Sequence, residues 1–174
     1  PTLIQSVWGW SVLTTGFAIA PGPLMAFFVA PPAGRMADRI GNRLILTVCG
    51  SSGAIGMGLF IINFGAEPQY LSDILLPSLF IGVAAGTGFS QLVGAAMRDV
   101  PPHQYAMGGA GRTTAFQMAI ALGIAVAVAI IGRPASPAEA LAAYEDSWLV
   151  GVAAYGAVAV IVAAFYPNKP VATA

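Results

Sequence analysis

The residues best placed to do chemistry in this chain are Gly34, Asp38, Arg39, Gly41 and Arg43, spaced G-x-x-x-D-R-x-G-x-R. A carboxylate at a helix-to-loop junction can accept charge-assisted hydrogen bonds from arginines and from helix N-terminal amides. Gly34 permits close approach of two helices, and Gly41 permits a turn of positive φ. Such a set describes a latch, a polar fastening between helix ends that can be made and broken. The arginines also serve to orient a chain across a membrane, and for Arg35 that role alone suffices.

Polar residues elsewhere in the apolar runs are few. Gln91 and Gln117 carry amides that both donate and accept, so each either lines a cavity or joins two helices. Arg112, close to the start of an apolar run, either faces a water-filled cavity or extends to the membrane surface. No acidic residue falls deep within a run, so no proton-carrying carboxylate is visible. His103 is the only histidine and Cys49 the only cysteine. A metal centre, a bound cofactor and a disulfide are therefore not expected, and no catalytic constellation supports a membrane-embedded enzyme.

The elements that must position these residues follow from composition. Charged residues make up 8% of the 174 residues and hydrophobic ones 57%. A soluble globule of this size has too much surface to hide so much apolar material. The net charge is zero, so no nucleic-acid partner is implied. The chain reads instead as an all-α, polytopic integral membrane protein in contact with lipid. Apolar runs long enough to cross a bilayer as helices predict spans at about 12–32, 44–65, 74–97, 106–132 and 147–166, preceded by the tail of another helix over 1–7. Trp8 and Trp10 fit an interfacial aromatic pair. Membrane strands would alternate polar and apolar residues, and these runs do not.

Basic residues alternate by connection. Arg35, Arg39 and Arg43 fall in one, Arg98 and His103 in another with Arg112 just beyond, and Lys169 lies in the tail. The intervening connections are acidic on balance, with Glu67 and Asp73 in one and a single Arg133 against Glu139, Glu145 and Asp146 in the other. By the positive-inside rule the basic connections and the C-terminus are cytoplasmic, in a plasma membrane crossed several times. Ser136-Pro137-Ala138-Glu139 is a capping box with Pro at the first helical position, predicting a short outer-surface helix over 137–145. Pro21 and Pro23 each remove a backbone donor inside the first span, which places a kinked helix beside a central cavity. Gly82-x-x-x-Gly86 and Ser52-x-x-x-Gly56 are small-residue ridges suited to close packing.

The segment from Gly34 to Arg43 resembles the cytoplasmic loop signature of the major facilitator superfamily, with all five fixed positions met. The stretch Trp10-Ser11, Gly16, Ala20-Pro21-Gly22-Pro23 and Pro31-Pro32-Ala33-Gly34-Arg35 is similar to its fourteen-helix drug:proton antiporter branch. So is the stretch from Met107 to Gly111 with Gln117 and Gly123-Ile124-Ala125, although Phe116, Ala119 and Ile120 depart from that branch's pattern. The resemblance implies the C-terminal half of a transporter fold, five full helices and the end of a sixth. It further implies proton-coupled efflux of amphipathic drugs or metabolites by alternating access, with protons and a small-molecule substrate as partners. The chain starts at Pro1 and reads as a segment that needs the N-terminal half of the same protein. The alternative is an isolated half acting as a non-transporting membrane module.

Overall fold

The computed structural model describes residues 2–65, 67–97 and 100–166. Arg98 and Lys169, two of the cations that orient the chain, lie outside the described residues. The helices are α1 (Thr2–Trp8), α2 (Val12–Ile19), α3 (Pro21–Ile40), α4 (Asn42–Asn63), α5 (Leu76–Met97), α6 (Tyr105–Ile131) and α7 (Pro137–Phe165). A π-helical turn, Leu71–Leu75, leads into α5, and a 3₁₀ turn, Pro102–Gln104, leads into α6. No strand occurs among the described residues. Among the described residues, five helical stretches are long and apolar enough to cross a membrane, the first of them Val12–Ile40.

Packing is side by side. α3 lies along α5, α5 along α4, α4 along α7, and α6 lies at the margin against α7. Small residues set the close spacing. Gly82 and Gly86 of α5 face the backbone of α3 at Gly22 and Ala26. Gly50 and Gly53 of α4 face Ala159 and Tyr155 of α7. In lipid no hydrophobic force draws helices together, so such backbone approach and the dispersion it brings carry the association. α6 has no buried residue.

One end of the bundle is closed by an apolar cluster of Leu3, Ile4, Ala18, Phe64, Ile74 and Ala140. Trp8 stacks on Phe64 with ring centres 4.6 Å apart, and its indole donates to the Gly65 carbonyl at 2.9 Å. Trp148 stacks on Phe60 at 5.2 Å. Tryptophans whose position fits a lipid–water boundary thus also tie α1, α4 and α7 together there.

Two boundaries differ from the sequence expectation. The first span does not stop at residue 32; α3 runs through Pro31 and Pro32 to Ile40, so Arg35, Asp38 and Arg39 stand on a helix and not in a loop. Both prolines are exposed, and each leaves the carbonyl four residues before it without its amide donor while α3 continues. The surface helix expected over 137–145 is not separate, because α7 continues unbroken to Phe165. Its start is capped as the sequence implies. Ser136 Oγ accepts from the Glu139 amide at 3.2 Å, and Glu139 accepts from the Ala135 amide at 2.9 Å.

Candidate functional site

Two regions bring candidate residues together. The first is the α3–α4 junction. Gly41 has φ 89° and ψ 160°, a conformation closed to side-chain-bearing residues at little cost, and it reverses the chain between two long helices. Ala33, Ala37 and Ile45 pack beneath the turn. Arg43, in the first turn of α4, donates from its guanidinium to the carbonyl of Ala163 in the last turn of α7. A cation among the unpaired carbonyls at a helix C-terminus is favourable on dipole grounds as well.

Asp38 does not join this contact. It is exposed in the last turn of α3 and has no hydrogen bond or ion pair among the described residues. The expected Asp38–arginine network is therefore absent from this arrangement, because helical continuation through residue 40 turns Asp38, Arg35 and Arg39 outward. Arg39 is exposed in the same last turn of α3. Gly34 is half-buried, and a Cβ added there would meet nothing within 4 Å. Close approach at this level is made by the buried Ala33 and Ala37 instead.

The second region is a cleft of about 510 Å³ between α3 and α5, lined by Ile19, Pro23, Ala26, Phe60, Gly82 and Phe89 among others. Ser78 is the one polar side chain on its wall. The cleft lies beside the α2–α3 break. There Ala20 keeps helical angles and the Leu24 amide reaches the Ala20 carbonyl at 3.2 Å, while Pro21 and Pro23 offer no amide to the residues four before them. An apolar concavity with one hydroxyl suits a ligand that is mostly hydrophobic.

Of the remaining candidates, Gln91 meets the α3 side of the first region, and Arg112 and Gln117 lie apart from both on α6. Gln91 is 3% exposed and its amide donates to the Ala33 carbonyl at 3.4 Å, so it joins α5 to α3. Arg112 is half-buried on α6, and Gln117 is exposed there; neither has a hydrogen bond to a described residue. Sequence reasoning missed Asp73. This residue, placed in a connection, is 2% exposed on the π-helical turn, accepting from the Gln69 amide at 2.9 Å and bonding to Ser72 Oγ at 2.6 Å. An acidic residue just before an apolar run is a helix-start signal, and that signal was present.

The sequence profile of the Major Facilitator Superfamily matches residues 1–174. The chain is 32% identical over 108 residues to the "Multidrug resistance protein B homolog" of Mycobacterium tuberculosis, covering 62% of this chain and 20% of that protein. It is 27% identical over 125 residues to "Riboflavin transporter RibZ" of Clostridioides difficile, covering 72% and 27% respectively. It is 26% identical over 106 residues to "Probable multidrug resistance protein EmrY" of Escherichia coli, covering 61% and 20%. The chain thus spans between a fifth and about a quarter of the curated relatives it matches. No solved structure matches it significantly.

Proposed function

Since the chain belongs to the major facilitator superfamily, a family of transporters and not of enzymes, we propose that it forms part of a proton-coupled exporter of amphipathic molecules working by alternating access. The observation that carries this reading is the family match along the whole chain together with the Gly34–Arg43 signature at the α3–α4 junction. Names of three relatives support the substrate class: two concern multidrug resistance, and the third is named for riboflavin, a molecule with a planar ring system and a polar tail. The apolar cleft suits the hydrophobic part of such molecules.

In this reading the α3–α4 junction is the latch. Arg43 is its engaged half, fastening the start of α4 to the end of α7. Asp38, exposed on the same end of the bundle, is the free half, available to a donor supplied by the N-terminal half of the transporter. Pro21 and Pro23 let α2 and α3 bend about Ala20 while the cleft opens to one side or the other. Gln91 holds α3 to α5 during that movement. Arg112 and Gln117 lie on α6, the helix with no buried residue, and are assigned to the face that meets the rest of the protein. In this reading the junction and the C-terminus lie on the cytoplasmic side of the plasma membrane, an orientation that Arg35, Arg39 and Arg43 support under the positive-inside rule.

The test is retention of ethidium by cells expressing the intact transporter that carries this segment. Expression is expected to lower retention, and a proton uncoupler to restore it. Asp38→Asn is expected to cut the efflux rate about tenfold, the scale of losing one charge-assisted hydrogen bond, with membrane levels of protein unchanged. Efflux that persists under the uncoupler excludes proton coupling. Unaltered efflux by Asp38→Asn excludes the latch.

A further inference from the structure

The last turns of α3 carry two cations that neither the Arg43 contact nor the cleft uses. Arg35 and Arg39 line a hollow of about 310 Å³, together with Pro32 and Met36. The four residues recur at the spacing of one helix face, and all of them are exposed. Arg43 donates to the Ala163 carbonyl, but neither Arg35 nor Arg39 has a hydrogen bond or ion pair among the described residues. Asp38 is the one acidic side chain of α3. It lies about a third of a turn round the helix from the centre of this face and pairs with neither arginine.

The span that carries this face also sets its depth. The helical stretch Val12–Ile40 has 29 residues. At about 1.5 Å per residue, about 20 residues cover the roughly 30 Å hydrocarbon core. Counted from Val12, beside Trp8 and Trp10, the far boundary falls at about residue 32, and Arg35 and Arg39 follow in the headgroup layer. Nearer the membrane centre the same side of α3 continues with Phe28 and Leu24, both exposed. An apolar strip at acyl-chain depth, ending in two guanidiniums at phosphate depth, matches the polarity of one phospholipid molecule. Guanidinium N–H groups pair with phosphate oxygens, and two cations together favour a lipid of net negative charge.

We propose that this face of α3 is a binding site for an anionic phospholipid, with its phosphate on Arg35 and Arg39 and its acyl chains along Pro32, Phe28 and Leu24. A free phosphate ion would use the cations and leave the apolar strip bare, so the lipid is the occupant that the whole face fits. The site goes beyond the transport reading: it depends on the depth of the span and not on proton coupling.

The experiment titrates the intact transporter carrying this segment, purified in detergent, with fluorescent phosphatidylglycerol and separately with phosphatidylcholine bearing the same acyl chains. Wild type is expected to bind phosphatidylglycerol about tenfold tighter. The double variant Arg35→Gln, Arg39→Gln is expected to lose about 25-fold in phosphatidylglycerol affinity, roughly fivefold per cation, with phosphatidylcholine affinity little altered. Arg133→Gln, which removes an exposed cation from the α6–α7 connection, is expected to leave both affinities unchanged. Should the double variant fail to insert, Arg39→Gln alone decides: about a fivefold loss supports the site, and wild-type affinity overturns it. Equal affinity of wild type for the two lipids, or a preference that the double variant keeps, overturns the proposal. Inorganic phosphate at the concentration of the lipid is expected not to displace it; displacement would mark a free-anion site and overturn the lipid assignment.

Discussion

Gly82→Ala is expected to unseat α3 from α5 and to abolish transport. A Cβ at this position would overlap the Gly22 carbonyl oxygen and stand 2.8 Å from Met25 Cβ. The first of these is backbone, which cannot rotate away. Relief requires α5 to back off α3, and that separation also loosens Gly86 against Ala26 one turn further on. Overpacking of this kind costs about 1–3 kcal/mol, concentrated on the seam that forms the cleft wall. The thermal midpoint of the purified protein is expected to fall by several degrees. Ethidium efflux is expected to fall more than the protein level does, because the cleft is built on this seam. Gly58→Ala is the control. Nothing lies within 4 Å of a Cβ there, and a helical Gly→Ala exchange gains roughly 0.5–1 kcal/mol.

The second large effect is expected at Gly50. A Cβ would stand 2.5 Å from the Ala159 amide nitrogen and 2.8 Å from its Cα, again backbone against backbone. Gly50→Ala should pry α4 from α7 at a cost of about 1–3 kcal/mol. The α4–α7 seam also carries the Arg43 contact to Ala163, so the latch should loosen along with the packing. Trypsin cleavage at Arg43 in the purified protein, compared between wild type and Gly50→Ala, reads that loosening directly. Faster cleavage in the variant is the expected result. Equal cleavage with equal thermal stability would show that α7 does not press on α4 in the membrane.

What the sequence made legible was local. Apolar runs of membrane length mark helices because their faces carry almost no charge, whatever surrounds them. Gly41 could be read as a positive-φ turn because the constraint sits in its own backbone. The capping box at Ser136 and Glu139 was legible for the same reason, although it said nothing about where the helix it opens would end. The misreadings all depend on neighbours. The span expected to end at residue 32 runs on, because α3 continues through Pro31 and Pro32 to Ile40 even though both withhold an amide donor. Arg43 finds its partner 120 residues away at Ala163, a distance no spacing rule reaches. For Gln91 the sequence favoured a helix contact over a cavity but could not name the partner, which is the Ala33 carbonyl on α3. Asp73 read as a loop acid, since burial is a property of the assembled helices and not of the residue.

The central claim, proton-coupled export by a protein containing this segment, is tested most directly in proteoliposomes. The intact transporter would be reconstituted, a pH gradient imposed, and ethidium movement followed against a voltage clamp set by potassium and valinomycin. Ethidium accumulation driven by the pH gradient, reversed when the gradient is inverted and lost when it is collapsed, is the predicted result. Ethidium movement indifferent to the gradient would contradict the account, whatever its rate.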